Sequence, residues 1–146
     1  MSLTSLSIAE TTRNELETLL NFVMSDEEQQ TAYLAERNIW KGVLLLGQLL
    51  MQLFFTVHSE REEKHKALEV AEDRLIYSGQ PSRQYVSLFG SVEMKRYHYW
   101  KKGQSGVHPL DAVLSMPDRI YSDCVQELLS AMEVWMPQGQ TLDLVT

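Results

Sequence analysis

Tyr85–Asp111, YVSLFGSVEMKRYHYWKKGQSGVHPLD, is the stretch whose reading decides the fold. Two β-prone runs, RQYVSLF and VEMKRYHYW, flank Gly90-Ser91. A Gly-Ser pair between such runs predicts a two-residue hairpin turn. The turn sets a register in which Phe89 faces Val92, Ser87 faces Met94 and Tyr85 faces Arg96. Leu88 then pairs with Glu93, and Val86 with Lys95, on the opposite face. Neither face is purely apolar, which predicts partial burial with one wet face. KKGQSG reads as a loop, and Pro109 suits the first turn of a short helix, PLDAVL. Beyond Pro117, Ser122 is a good cap for a last helix with Val125, Leu128, Leu129, Met132 and Trp135 as its apolar stripe. Pro137 and Gly139 stop that helix, and TLDLVT opens a further segment.

The hairpin is the only strongly cationic part of an acidic chain. Arg83, Lys95, Arg96, Lys101 and Lys102 stand against Glu93 alone, a local +4 in a 146-residue chain of net charge −7. That leaves −11 elsewhere and argues against indiscriminate nucleic-acid binding. With 44% hydrophobic residues the chain can build a core. The single cysteine, Cys124, excludes an internal disulfide framework and a cysteine-rich zinc site. It fits a reducing, cytoplasmic compartment. The N-terminus shows no basic region followed by an apolar run, so no secretory signal is expected.

Toward the N-terminus the periodicity turns helical. Thr11 or Thr12 caps a first helix carrying Leu16, Leu19, Leu20 and Val23. Ser25 with Glu28 forms a capping box for a second, long helix. Along that helix Ile39, Val43, Leu46, Leu50, Leu53 and Val57 alternate steps of four and three, a heptad-like seam. Trp40, Leu44, Met51 and Phe54 widen it. The seam is too wide for the first helix alone, so other parts of the chain or another subunit must cover it. Gly42–Val57 falls short of the ~20 residues of a membrane span. Lys41, Gln48, Gln52 and Thr56 add a polar stripe, so no membrane role is expected. SEREEKHK, from Ser59 to Lys66, reads as a solvated helical turn, and Ala67–Tyr77 as renewed helix through Leu68, Ala71 and Leu75. Ser78-Gly79-Gln80-Pro81-Ser82 is the clearest break. The division is a helical assembly region over 1–77, a linker over 78–82, and a β-hairpin plus C-terminal helix over 83–146. The fold class is α+β, mainly α.

Catalytic chemistry is not nominated by any spacing. Glu62-x-x-His65 has the i, i+3 spacing of carboxylate-bridged metal bundles, but such sites need a second copy and facing glutamates. His58, His65, His98 and His108 do not cluster in sequence, and Cys124 lacks a local base. No phosphate-cradling glycine loop is present. Hence no cofactor, metal, small-molecule substrate or enzymatic activity is expected. The basic hairpin supports two readings. Lys95, Arg96, Lys101 and Lys102 neutralise phosphates while Tyr97, Tyr99 and Trp100 stack on bases or sugars. Alternatively the aromatics are core and the cations keep a half-buried hairpin soluble.

The ordered set Phe89, Gly90, Val92, Arg96, Tyr97, Tyr99, then Pro109, Leu110, Asp111, Leu114, Pro117, then Tyr121, Ser122, Val125, Glu127, Leu128 resembles the N-terminal half of bacterial insertion-sequence transposases of the Kra-type family. The match covers roughly the last 60 residues. Many relatives carry a Cys-x-x-Cys pair where this chain reads YWKKGQSG, so a zinc site does not carry over. In that family a helix-turn-helix and an RNase H-like domain with three metal-binding carboxylates come later. No residue of this chain matches them, so the family's strand-transfer chemistry is not expected of any residue here. The resemblance therefore implies a non-catalytic N-terminal transposase fragment that binds DNA and self-associates. The implied DNA contacts are Lys95, Arg96, Tyr97, Lys101 and Lys102. The association residues expected from the seam are Ile39, Val43, Leu46, Leu50 and Leu53, with a second copy or an intact transposase as partner. The rival reading is a helical protein-interaction module with no DNA role.

Overall fold

The computed structural model describes residues 4–26 and 30–135. The architecture is α+β, about 51% helix and 20% strand. Helix α1 (Ser5–Val23) and the long α2 (Ala32–Arg61) come first. Their caps lie away from the expected threonines and serine. Thr4 accepts from Ser7 N at 3.2 Å, and Thr31 accepts from Leu34 N at 3.2 Å. Thr11 and Thr12 instead sit inside α1, their hydroxyls donating to the carbonyls of Ser7 and Ile8. The Ser25 hydroxyl accepts from Gln30 Nε2, while Glu28 of the expected capping box lies outside the described residues. The expectation failed because Thr, Ser and Asp serve either as caps or as back-bonding helix residues, and sequence alone does not choose.

The two helices run antiparallel. Gly42 of α2 lets Leu19 of α1 approach so closely that a Cβ would stand 2.9 Å from Leu19 Cδ1. At the far end Ser5 binds Glu60 through both its backbone N (2.7 Å) and its hydroxyl (2.6 Å). The Ser5 hydroxyl, and then its amide, hold the Glu60 carboxyl below the usual carboxylate range. Ile8 is buried.

Ala67–Tyr77 is a hairpin, not a helix. Strands β1 (Ala67–Val70) and β2 (Asp73–Tyr77) pair antiparallel, with Leu68 opposite Leu75. Cross-strand partners seven residues apart share a face in a tight hairpin, and they also share a face of a helix. That coincidence produced the helical reading. Ala71 turns the chain at φ 56°, and the SEREEKHK run leaves the helix after Arg61. Helix and hairpin periods therefore compete over 62–77, and in the observed hairpin Leu75 is buried, as is Tyr99, which pairs with Tyr77.

The predicted hairpin is formed by β3 (Ser82–Ser87) and β4 (Gly90–Lys95), but its turn is Leu88-Phe89. Tyr85 faces Val92, Val86 faces Ser91 and Arg83 faces Met94. Each partner thus moves by four positions from the expected register. Because four is even, every side chain keeps its expected face. Val92, Met94 and Arg96 are buried, whereas Ser91, Glu93 and Lys95 are exposed. Gly90 takes φ 121°, a region open to glycine, as the residue closing the turn. Strand β4 ends at Lys95, and β5 (Tyr99–Trp100) joins the other sheet in the order β1-β2-β5. Ser78–Ser82 then runs between paired segments rather than separating two halves, since Ser78 N donates to His98 O (2.7 Å) and His98 N to Gly79 O (2.9 Å).

Pro109 opens the short α3 (Pro109–Val113), and α4 (Asp123–Trp135) starts where Ser122 accepts from Val125 N at 3.0 Å, both as the sequence predicts. The expected stop at Pro137 and Gly139, and TLDLVT, lie outside the described residues. Phe55 of α2, Val92 and Met94 of β4, and Leu110 of α3 form the core, with Met51, Tyr85, Leu114 and Met116 packed around it. Each fully buried side chain of this size contributes about 2 kcal/mol.

The polar stripe of α2 has a structural role. Gln48 Nε2 donates to Ser91 O at 2.9 Å. Gln52 donates to Glu93 O (2.8 Å) and accepts from Glu93 N (3.1 Å). The Ser59 hydroxyl donates to Lys95 O. Four helical residues rise about 6 Å. Two strand residues span about 6.8 Å. The i, i+4 glutamines therefore match alternate residues of β4 and cover a sheet edge that would otherwise stay open.

Candidate functional site

Two surfaces compete for a function, a basic set on the hairpins and an apolar stripe on α2. The expected DNA contacts do not form one patch. Lys95 points from the outer face of β4 and is exposed. Arg96 is buried, its Nε donating to Asp111 Oδ1 at 3.2 Å and its Nη1 to Pro81 O at 3.0 Å. Burial and the pairing with Asp111 turn this guanidinium inward, away from a phosphate in solvent. Tyr97 is half-buried, its ring edge-on to Tyr77 at 5.8 Å, and its backbone N donates to Glu62 Oε1 at 2.9 Å.

Lys101 and Lys102 follow β5, at the end of the other sheet. Lys101 Nζ binds Asp73 Oδ1 at 2.6 Å, and Gln104 Nε2 binds Oδ2 at 2.8 Å. Lys101, and after it Gln104, hold the Asp73 carboxyl below its usual range. Lys102 is exposed, near the half-exposed Trp100 and its cross-strand neighbour Ile76. Of the five expected contacts, Lys95 and Lys102 alone are exposed and outside any ion pair among the described residues.

The resemblance motif maps largely onto the framework. Val92 and Leu110 are core, Gly90 closes the turn, and Ser122 caps α4. Arg96 and Asp111 pair, and Arg83 joins them through Asp111 Oδ2 at 3.3 Å. Arg83 also donates to the carbonyls of Pro117 (2.9 Å) and Arg119 (3.1 Å). The sequence reading counted Arg83 only as a charge, and nothing in its spacing marked it as a clamp. Gly47 was missed too. Phe89 packs so tightly on it that no Cβ fits there. The signal was the glycine itself, since a mid-helix glycine is costly unless something must come close.

The heptad-spaced residues Ile39, Val43, Leu46, Leu50, Leu53 and Val57 all lie within α2. The Gln48, Gln52 and Ser59 side of α2 carries β4, and the Gly42 side carries α1. Between them Ile39, Val43 and Leu50 stay 37%, 43% and 54% exposed. Leu46 and Leu53 are partly covered. Phe54 of α2 and Leu16, Leu20 and Val23 of α1 are exposed as well. By length and composition α2 is apolar enough to cross a membrane. Its glutamine face is bonded to β4, while the row Ile39, Val43 and Leu50 lies on a different, exposed face.

Other chemistry is thin. Among the described residues no three His, Cys, Asp or Glu side chains gather as a metal ion requires. Glu62 is taken by the Tyr97 amide, and the His65 amide donates to the Tyr99 hydroxyl at 3.0 Å. Cys124 is exposed on the first turn of α4. His98 and His108 stack at 4.8 Å, and burial, followed by the charge of Arg96, pushes the His108 pKa down. Lys95 and Tyr97 line an open groove of about 760 Å³ with Thr4, Gln52, Ser59 and Glu60. Comparison with protein-family models, curated proteins and solved structures finds no match for this chain.

Proposed function

We propose that this chain is a non-catalytic assembly module of the transposase N-terminal type, and that it self-associates through α2. The transposase type rests on the ordered motif from Phe89 to Leu128 alone. The observation that carries self-association is the half-exposed row Ile39, Val43 and Leu50, at heptad spacing on a helix whose other two faces are occupied. Such a row favours burial against another helix. Its partner is a second copy or an intact transposase bearing a similar helix.

Sedimentation equilibrium tests it. The wild type should sediment as a dimer or larger, and Val43→Glu with Leu50→Glu should give a folded monomer. A wild type that stays monomeric at high concentration rejects the reading. Co-expression with an intact relative should lower transposition if mixed oligomers form.

DNA contact is the second reading, favoured by the exposure of Lys95 and Lys102 and by the half-exposed Trp100 near Lys102. Affinity should fall with salt, and each cation replaced by Ala should lower the log–log slope by about 0.9. If Lys95→Ala and Lys102→Ala leave affinity and slope unchanged, DNA does not bind there. Association without any DNA affinity would favour the protein-interaction module.

A further inference from the structure

The row on α2 is symmetric about its own centre. Residues Ile39 and Val57, Val43 and Leu53, and Leu46 and Leu50 lie at equal distances on either side of position 48. Extending the row outward by one helical step gives Glu36, three residues before Ile39, and Arg61, four residues after Val57. Both are exposed, and neither makes an ion pair among the described residues. The stripe thus reads acid, apolar row, base, over a length of about 38 Å.

We infer that α2 pairs with α2 of a second copy in antiparallel, two-fold fashion, Glu36 of each copy meeting Arg61 of the other. This inference rests on the association reading above and specifies its geometry. Reversal of direction is what makes the stripe complementary to itself. It sets Ile39 against Val57 of the partner copy, Val43 against Leu53, and Leu46 against Leu50. A parallel pair would instead set Glu36 against Glu36 and Arg61 against Arg61, like charges at both ends. Two-fold symmetry makes the charged contact occur twice, once at each end. Heptad-spaced side chains interdigitate in either direction, so the terminal charges select the direction.

Charge exchange decides it. Glu36→Arg and Arg61→Glu are made singly and together in the full chain, and the dimer dissociation constant is measured by sedimentation equilibrium at low salt. Circular dichroism checks that α2 persists. Each single change should raise the dissociation constant roughly tenfold, because two attractive contacts become repulsive. The double variant should return to near the wild-type value. If the wild type dimerises but the single changes leave it untouched, or the double variant fails to recover, the antiparallel register is overturned while association stands. If the wild type is monomeric, or partitions into phosphatidylcholine vesicles instead of dimerising, association and register fall together.

Discussion

Arg96 donates from Nε to Asp111 Oδ1 at 3.2 Å, tying the residue that follows β4 to the first turn of α3. The other carboxylate oxygen accepts from Arg83 of β3 at 3.3 Å. One aspartate therefore holds β3 and the segment just after β4 against a helix. The three side chains are only 10–22% exposed, so the pairs are poorly screened. Asp111→Ala leaves two guanidiniums without their counter-charge and should cost about 3 kcal/mol. Arg96→Lys should also destabilise, since an ammonium cannot reach both Asp111 and the Pro81 carbonyl with a planar fork. Chemical denaturation measures both. A loss below about 1 kcal/mol for Asp111→Ala would show the cluster to be surface-like.

At Ala71 the backbone takes φ 56° in the two-residue turn of β1–β2. A residue with a Cβ costs about 1 kcal/mol there, and glycine does not. Ala71→Gly should therefore stabilise the protein by up to about 0.5 kcal/mol, the strain relief set against the extra chain entropy glycine brings to the unfolded state. A thermal melt that moves down instead would mean the turn does not hold this conformation.

Gln52 satisfies both the N–H and the C=O of Glu93 on an open strand edge. Gln52→Leu keeps the bulk and removes both bonds. Water replaces them in part, so the loss should be about 1–2 kcal/mol. Amide exchange is the sharper readout. The Glu93 N–H should lose protection more than its interior neighbours on β4, and equal protection in both proteins would remove the bridging role from Gln52.

These elements show where the sequence was legible. Period-2 burial on β4 was read correctly, because parity survives a register slip of four. The turn itself was misplaced, because Gly90 marks the φ 121° residue closing the turn as readily as one inside it. Long-range partners left no local trace. Arg96 and Lys95 are adjacent and equally cationic in sequence, yet one is an internal clamp and the other faces outward. What separates them is the strand's alternation and the distant Asp111. The α2 row was legible because its spacing is a property of one helix. The stripe beside it was legible as polar, but its target, the edge of β4, was not.

His108 supplies a pH dependence with a defined sign. Its ring stacks on His98 at 4.8 Å. Burial, then Arg96, push its pKa below the ordinary histidine value, with His98 and Arg83 adding to the shift and Asp111 opposing it. Above about pH 6.5 the ring is neutral in both folded and unfolded chains. As pH falls below that, the unfolded chain takes up the proton first, so the unfolded state binds more protons and stability drops. The loss runs from about pH 6.5 down to the lowered folded-state pKa. Asp73 and Glu60, whose carboxyls sit below their usual range, add their own losses only in the acid region below about pH 4. Melting temperatures taken from about pH 7 to about pH 5 should fall for the wild type and fall less for His108→Asn. The variant cannot take up a proton at this position, yet it keeps a polar side chain ahead of α3. An identical slope in both proteins would assign the pH dependence to other groups and leave the stacked pair a packing contact alone.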